Sequence, residues 1–483
     1  MASFARRQFG SALAVCALAL AASGAHGCTS APAVGGGQPG ATDAISDTGL
    51  AVADGAADGA GDSAVDADSA TSDSGSVDVE SDQVDAAADA VAKPIPADTS
   101  PLLPQVGAPT LWQKPLATWI AATAAAVGAG KVEPEITALL ATPVGIVIGH
   151  GTTGAQLTAA QAAKLPAAEV RILDLASGGT TSAYVSADAS LRRFRLESDG
   201  TIFAPGGRKP ASATKGSLYR YPVGGPWQRF ETVPGALWLH DACTFGGALY
   251  VAGSAATNAE QAVGEHSAAL WRSDDGGSFF EQVSKNWNGG VGISELRWLV
   301  PVGDALVGLG RKTSANGNVV ELPHGAWAGG KALPLAPTHP LKTVSPEAVE
   351  PTIDGAFLIG GQDLLAPGDA ALLRVGAKGT VGLGPEGLIA LDPLGGTLVA
   401  AFPWKGQPPG AKLTLMLERL TTGHYRVRAL PEAGVGAGAD GGGVTLWTGA
   451  SSVALTAVAY GHGGMVFGAV DGSVWRAPAS WKP

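Results

Sequence analysis

Cysteine is scarce in this sequence. There are three in 483 residues, and two of them, Cys16 and Cys28, lie in the first 28 positions. Only Cys243 is left for the rest of the chain, which excludes a disulfide framework within one copy. Because Cys243 stands just before an apolar run, we predict that it is a buried small hydrophobic residue and not a nucleophile.

Motifs for metal, cofactor and nucleophile chemistry are missing as well. The eight histidines are scattered, and neither a His-Glu-x-x-His nor a Cys-x-x-Cys pattern occurs, so the sequence predicts no metal site. It contains no Gly-x-Ser-x-Gly elbow and no phosphate-binding loop. We therefore predict no cofactor and assign no catalytic residue.

Charged residues are few, 15% of the chain, and the acidic ones are unevenly placed. Thirteen of the 42 acidic residues lie between Asp43 and Asp89, whereas only Arg6 and Arg7 of the 31 basic residues precede Lys93. The remainder is charge-balanced and shows no basic stripe, which argues against a nucleic-acid partner.

Glycine, proline and tryptophan are abundant, with 70, 32 and 12 residues, and long amphipathic helical patterns are nearly absent. Glycine and proline mark turns, and aromatic residues favour β-strands. The composition therefore predicts an all-β fold of short strands joined by many turns. A chain of this length can hold one large β domain plus tails.

Residues 1–27 have the features of an export signal: a basic start ("ARRQF"), an apolar stretch over 11–22, and small residues before Cys28. The apolar stretch is shorter than the about 20 residues that a spanning helix needs. The "AHGC" ending at Cys28 resembles a bacterial lipoprotein cleavage box, which implies lipidation of Cys28 and an outer-membrane anchor, periplasmic or cell-surface. Simple cleavage without a lipid, and twin-arginine export, remain open.

Residues 28–104 form a segment rich in Ala, Asp, Gly and Ser with few large apolar side chains. Such a segment buries too little apolar surface to offset its ordering entropy, so we predict a disordered acidic tether. Its "DADSATSDSG" run (66–75) alternates acids but lacks the acid spacing and the Gly at position six of a calcium loop.

Residues 105–483 contain a recurring phrase, a small polar or Gly-Gly turn followed by a short apolar run. Its eight instances start at 142, 198, 245, 302, 353, 394, 440 and 462, so successive starts differ by 56, 47, 57, 51, 41, 46 and 22 residues. Periods of about 40 to 50 residues with several short strands each indicate a β-propeller. We predict about seven blades.

Each phrase is typical of a hairpin whose apolar strand is buried on both faces between blades, and its run is therefore continuous instead of alternating. The last repeat supplies too few strands before the chain stops. We predict that the segment "PTLWQKPL" (Pro109 to Leu116) completes the final blade and closes the ring.

One acidic turn, "SDDGGSFF", reads Ser273-x-Asp275-x-Gly277-x-x-Phe280. It resembles the Asp-box, or BNR, repeat of sialidase-like propellers and their non-catalytic relatives, with partial matches in "ESDGTIF" (197) and "AVDGSVW" (469). The resemblance implies a structural hairpin turn on the outer part of a blade. The turn chemistry agrees, because an Asp side chain can accept backbone N–H bonds and glycine permits positive φ.

The resemblance also defines what an active sialidase would need: three arginines for the substrate carboxylate, an acid, and a tyrosine with a glutamate partner. In the family, the first arginine lies in a Phe-Arg-Ile-Pro motif. The most similar segment here is "VRIL", which has Arg171 and Ile172 but neither the Phe nor the Pro. Arg297, Arg426, Tyr425 and Tyr460 are present, but no spacing links them. We therefore expect ordinary structural arginines.

A glycine pattern, Gly149, Gly151 and Gly154 followed by Asp174, is similar to a dinucleotide-binding fingerprint. No second βαβ unit follows, and the chain downstream reads as strands, which favours a glycine-rich turn in a blade.

The sequence thus predicts an exported, lipid-anchored monomer that displays a non-catalytic β-propeller for protein or glycan ligands, with membrane contact through the anchor only. The alternative is a sialidase-like or other glycan-active hydrolase whose central arginine cluster comes from distant blades. The propeller fold itself decides neither.

Overall fold

Strands make up most of the chain that the structure, a computed structural model, describes. The described residues are 104–129, 133–142, 145–153, 161, 164–207, 216–230, 233–256, 266–285, 287, 293–314, 318–352, 355–365, 370–375, 388–391, 396–405, 412–431, 443–461 and 464–481. The predicted export signal and all but the last residue of the predicted tether lie outside them.

The described chain begins with two short strands and one α-helix, followed by a four-stranded antiparallel sheet. These elements are β1 (Pro104–Val106), β2 (Thr110–Gln113), α1 (Ala117–Val127), β3 (Glu133–Thr142), β4 (Gly145–Thr153), β5 (Glu169–Leu173) and β6 (Thr180–Val185). The sheet has the order β3-β4-β5-β6, so each strand pairs with its neighbour in the chain.

A nine-stranded sheet follows, with the path β11-β10-β9-β12-β13-β14-β15 and with β7 and β8 both paired to β9. Its strands are β7 (Ser190–Leu191), β8 (Arg195–Leu196), β9 (Ile202–Gly207), β10 (Leu218–Tyr221), β11 (Gln228–Phe230), β12 (Ala236–Phe245), β13 (Ala248–Ala256), β14 (His266–Ser273) and β15 (Glu281–Ser284). It consists of two meanders that meet at a single residue pair, Gly207 and Trp238.

Three further sheets repeat the meander. The first contains β16 (Ile293–Val302), β17 (Ala305–Thr313), β18 (Val319–Glu321), β19 (Gly325–Ala328) and β20 (Lys331–Pro334). After a 3₁₀ helix (Pro340–Thr343), the second contains β21 (Val344–Pro351), β22 (Phe357–Asp363), β23 (Ala370–Val375) and β24 (Leu388–Leu391). The third contains β25 (Gly396–Lys405), β26 (Lys412–Leu420), β27 (Tyr425–Pro431) and β28 (Val444–Gly449).

The last sheet joins the two ends of the described chain. Its strands β29 (Leu455–Gly461), β30 (Gly464–Ala469) and β31 (Val474–Trp481) form a meander, and β1 and β2 both pair antiparallel with β31. Thr110 lies opposite Arg476, so the segment predicted to close the ring does complete this sheet. Pro104, opposite Trp481, extends the closure to a strand that the sequence did not indicate.

These sheets form a β-propeller, since meanders of four or five strands repeat along the chain and the first strands close the last sheet. Five of the sheets have four or five strands each, and each of these is one blade. Apolar clusters fill the spaces between neighbouring sheets. In one of them, Val300 and Val307 pack with Val349 and Ile359 from the next sheet.

Six of the eight recurring phrases lead into the second strand of a meander: β4, β9, β13, β17, β22 and β30. β9 and β30 are buried at every residue, which confirms the predicted continuous burial. The other two phrases were interpreted wrongly. The phrase at 394 leads into a first strand, β25, and the phrase at 440 leads into a fourth strand, β28. Both belong to one sheet, which explains the irregular last spacings.

Glycine in the second strands lets neighbouring sheets approach closely. A Cβ on Gly360 of β22 would collide with Leu398 of the following sheet, and one on Gly468 of β30 would collide with Ile136 of β3.

Helix α1 lies against the first sheet. Trp119 is buried, donates its Nε1 hydrogen to the carbonyl oxygen of Ala167 at 3.0 Å, and meets the His150 ring edge-on. Among the described residues, no helix is long and apolar enough to cross a membrane.

The closure of the ring can be tested with two matched substitutions in the full chain. Val106 of β1 is 8% exposed and Leu111 of β2 is 49% exposed. Val106→Asp should lower the free energy of unfolding by more than about 2 kcal/mol, because it places an unpaired charge in an apolar contact. Leu111→Asp should cost less than about 1 kcal/mol. Urea unfolding measures both, and equal losses would contradict this closure.

Candidate functional site

The sheets surround a central channel with a cavity of about 250 Å³. Every sheet contributes its first strand to the wall, and the nine-stranded sheet contributes twice. The lining residues are Thr137, Ala138, Leu139, Arg192, Arg193, Phe194, His240, Arg297, Trp298, Glu347, Ala348, Glu350, Val399, Ala400, Ala401, Thr456, Ala457 and Val458. Concave sites of this kind are the usual place for ligands.

Six of the first strands carry a shift in register at the channel. In each, one residue has no partner on the second strand, which is a β-bulge, and that residue lines the channel. The six are Thr137, His240, Arg297, Glu347, Val399 and Thr456. Bulges redirect side chains and are common beside functional sites.

The remaining contribution comes from the gap between β7 and β8. Leu191 pairs with Gly206 and Arg195 with Phe203, so the three residues of 192–194 lie opposite two residues of β9. This three-residue segment lies at the channel wall, and two of its residues, Arg192 and Arg193, are arginines that line the channel.

A group of basic side chains gathers around Glu295 on β16. The Glu295 carboxylate lies 2.8 Å from Arg297 Nε and 3.8 Å from Arg311 Nη2, and the Nε2 atoms of His240 and His266 are each 3.9 Å away. Arg297 and His240 belong to the channel lining, so this group connects the wall to the layer behind it.

The charges in this group are fixed at neutral pH. Burial opposes ionisation of Glu295, but Arg297 and the other cations hold its pKa well below the usual value. Burial lowers the pKa of His240 to about 3 and that of Arg311 to about 10. It also lowers the pKa of Arg192. His240 is therefore neutral, and the arginines are cations in a poorly solvating site.

A second group, around Asp241, joins four segments of the wall. The Asp241 carboxylate accepts a hydrogen bond from Leu299 N at 2.9 Å and lies 3.5 Å from Arg195 and 3.7 Å from Arg193. Arg195 donates to the Leu299 carbonyl oxygen at 3.0 Å. Glu350 stands 4.0 Å from Arg193, and burial raises its pKa to about 7. These contacts bind β8, β12, β16 and β21 together.

The channel lining limits the chemistry that this site can perform. Its described residues include two glutamates, Glu347 and Glu350, but no tyrosine, cysteine, serine or aspartate. A sialidase-type reaction would need a tyrosine with a glutamate partner. The lining is instead well suited to hold charged or polar ligand groups.

The predicted Asp-box residues lie away from the channel, in the turn between β14 and β15 on the outer edge of their sheet. Ser273 Oγ donates to Asp275 Oδ1 at 2.7 Å and accepts from Gly277 N at 2.8 Å. Asp275 Oδ1 also accepts from Phe279 N at 3.0 Å, and Phe280 is fully buried. Gly277 has a φ of 109° and packs against a phenylalanine ring.

The two partial matches occupy different places in their sheets. Asp199 lies between the first and second strands of a meander, β8 and β9, and accepts from Thr201 N at 2.8 Å. Asp471 lies between β30 and β31 and accepts from Ser473 N at 3.0 Å. An Asp-Gly hairpin turn is common in β-sheets, so these two turns resemble the first one chemically but not by position.

The arginines and tyrosines that the sequence offered for a central site lie in different parts of the propeller. Of the arginines and tyrosines considered for a central site, Arg297 lines the channel, whereas Arg171, Arg426, Tyr425 and Tyr460 do not. They lie on β5, β27 and β29.

The dinucleotide pattern is not in a binding turn. Gly149 and Gly151 lie inside β4, which pairs antiparallel with both β3 and β5. Gly154 is outside the described residues, as is Cys28. Cys243 is buried in β12, and burial raises the pKa of its thiol, as expected for an unreactive core residue.

Sequence reasoning missed most of the channel residues, although a usable signal exists. Thr137, His240, Arg297 and Thr456 each stand five residues before the last residue of their strand. Counting back five residues from the end of the first strand therefore finds four of the six bulged residues, whereas Glu347 and Val399 stand four and six residues before the ends of their strands.

The turn at Asp275 can be tested for a structural role. Asp275→Ala should lower the melting temperature, because it removes two accepted hydrogen bonds, whereas Asp274→Ala removes only an exposed pair with Arg272. The hydrogen bond from Ser273 lowers the pKa of Asp275, so its stabilising effect is present at neutral pH and is lost as pH falls through that pKa. Equal melting temperatures for both variants at pH 7 would contradict the structural role.

Neither a protein-family profile nor a curated protein matches this sequence. Among solved structures, the chain is similar to virginiamycin B lyase from Staphylococcus aureus, at 11% identity and a TM-score of 0.39, over 72% of this chain and 96% of that one. It is also similar to the WD40 β-propeller domain of Doa1, at 9% identity and 0.40, over 77% and 96%. The extracellular domain of BT4673 from B. thetaiotaomicron matches at 11% identity and 0.43, over 78% of this chain and 44% of that one.

Proposed function

We propose that this protein is a non-catalytic binding module whose β-propeller takes a group of a protein or glycan ligand into its central channel. The observation that carries the proposal is the set of bulged residues. Each of the six bulged strands presents its unpaired residue to the channel, and these residues differ in chemistry: threonine, histidine, arginine, glutamate and valine. A constant scaffold with variable contact residues is what recognition requires.

The propeller has seven blades in this proposal, because the nine-stranded sheet counts as two. Its two meanders are joined by a single strand pair of residues, Gly207 and Trp238, and each supplies its own segment to the channel. With this count, a hairpin between the first and second strands of a meander recurs along the whole domain, as the spacing of the phrases predicted.

The alternative is a glycan-active hydrolase. Three arginines in the channel lining, Arg192, Arg193 and Arg297, favour it. The lack of a tyrosine among the described lining residues weighs against it, and the binding module remains our preferred function.

Display at the outer membrane completes the proposal. Lipidated Cys28 would hold the chain at the membrane, and the acidic segment up to about residue 104 would act as a spacer. Ser273, Asp275, Gly277 and Phe280 would serve as an Asp-box turn that holds β14 to β15, remote from the ligand.

Filling the channel should abolish binding. Val399→Trp places a large ring at a bulged lining residue, whereas Val320→Trp changes a 57% exposed residue of β18 outside the channel. With both variants folded by circular dichroism, we expect binding to glycan and peptide arrays to weaken at least about tenfold for Val399→Trp only. Unchanged binding would move the ligand off the channel, and turnover of a fluorogenic sialoside by the unaltered protein would favour the hydrolase.

The anchor is tested separately. Lipoprotein attachment requires the Cys28 thiol, so Cys28→Ala should move the protein from the membrane fraction to the soluble fraction in a bacterial host. Cys16→Ala, within the predicted signal, serves as the matched control and should leave fractionation unchanged. A Cys28→Ala protein that stays with the membrane would show that the lipid anchor is wrong.

A further inference from the structure

The arginines at one side of the channel are incompletely neutralised by the protein. Arg297 and Arg311 both approach Glu295, at 2.8 Å and 3.8 Å, and Arg192 is close enough to interact with Glu295 electrostatically without reaching ion-pair distance. Burial lowers the pKa of both Arg192 and Arg311. A lowered arginine pKa means that the surroundings disfavour the cation, which an added anion would reverse.

Two further carboxylates face the same arginines from neighbouring strands. Glu135 on β3 acts on Arg192, and Glu347 on β21 acts on Arg311. Burial raises the pKa of Glu135 and of Glu347, so the ionised form of each carboxylate is disfavoured at its site. Neither forms an ion pair with these arginines within the described chain.

Arg192 is the least engaged of the group. It lines the channel and is open to solvent there, and its guanidinium has no hydrogen bond or ion pair among the described residues. Its five N–H donors in a planar fork suit a carboxylate, sulfate or phosphate group.

His240 supplies a further polar group that lacks a partner. Its side chain is 6% exposed, lines the channel, and has an Nε2 atom without a hydrogen bond. The ring stays neutral at physiological pH, so it adds no charge to the channel wall.

We propose that the channel holds an oxyanion of the ligand between Arg192 and Arg297. This inference rests on the proposed binding function and specifies its ligand: an acidic glycan or peptide that presents a carboxylate, sulfate or phosphate to the channel. Glu295 is the competing internal anion, because it occupies the Nε of Arg297.

Sulfate serves as the probe, with acetate and inorganic phosphate as the other two arms and sodium chloride at matched ionic strength as the reference. For the full-length protein we expect saturable binding by calorimetry, with a Kd of about 1 mM or tighter, and a higher melting temperature. The arm with the tightest binding identifies the oxyanion that the ligand presents.

Substitutions in both directions make the test specific. Arg192→Gln should weaken sulfate binding at least about tenfold, since it removes charge-assisted hydrogen bonds to the anion without breaking a side-chain hydrogen bond or ion pair of the described residues. Arg272→Gln changes an arginine paired with exposed Asp274 in the outer turn and should leave binding unchanged. Glu295→Gln should tighten binding by freeing Arg297, and sulfate should raise its melting temperature more than that of the unaltered protein.

Equal sulfate binding by the unaltered protein, Arg192→Gln and Arg272→Gln would overturn the anion site, and so would no binding of any of the three anions. Because the Arg192 guanidinium has no hydrogen bond or ion pair to lose among the described residues, this decision does not depend on whether Glu295→Gln folds. If filling the channel abolishes array binding while Arg192→Gln does not, the binding module stands without the anion site. If Arg192-dependent sulfate binding occurs without any array ligand, the anion site stands without the module.

Discussion

The channel depends on how the innermost strands satisfy their unpaired backbone groups. A first strand at the edge of its sheet has N–H and C=O groups that no neighbouring strand pairs, and buried groups of this kind need partners. Side chains from adjacent sheets supply several of them. Asp241 accepts from Leu299 N, Arg195 donates to the Leu299 carbonyl oxygen, and Thr137 Oγ1 donates to the carbonyl oxygen of Leu191. Polar and charged residues near the channel therefore stabilise the fold by bonding to backbone groups of adjacent strands. For this reason an arginine at the channel is not by itself a sign of ligand binding.

The register shifts separate the scaffold from the contact residue. In an antiparallel pair, side chains alternate between the two faces of the sheet. The face on which a residue lies is therefore normally fixed by the residues before and after it. One extra residue interrupts that alternation locally and leaves the remaining pairs intact. Ile136 and Ala138, on either side of the shift in β3, both stay buried, and the unpaired Thr137 between them lines the channel next to Ala138. The type of residue at the shift is thus free to differ from strand to strand.

The architecture was more accessible from the sequence than the site was. Turn glycines and continuous apolar runs arise from local backbone and burial rules, so the repeat and the closing segment could be predicted. The repeat failed in one sheet, because β25 and β26 are connected through "GQPPGA", which lacks the phrase. Arg297 was noticed only as one arginine among several. Arg192 and His240 could not be grouped with it, since they meet only when strands far apart in sequence are arranged around one channel.

The two arginine groups at the channel differ in a way that separates scaffold from ligand site. Around Asp241, Arg193 and Arg195 have carboxylates within 4.0 Å and hydrogen bonds to backbone carbonyl oxygens of adjacent strands, so their charges are used inside the protein. The positive charge of Arg195 is favoured overall, because nearby carboxylates outweigh the burial that opposes it, and its pKa is raised. Arg192 has no such partners among the described residues, and its pKa is lowered, because the surrounding protein atoms disfavour the cation more than Glu295 and Glu135 favour it. The Arg192 guanidinium is open to solvent in the channel, so its N–H donors stay available for the oxyanion that we propose.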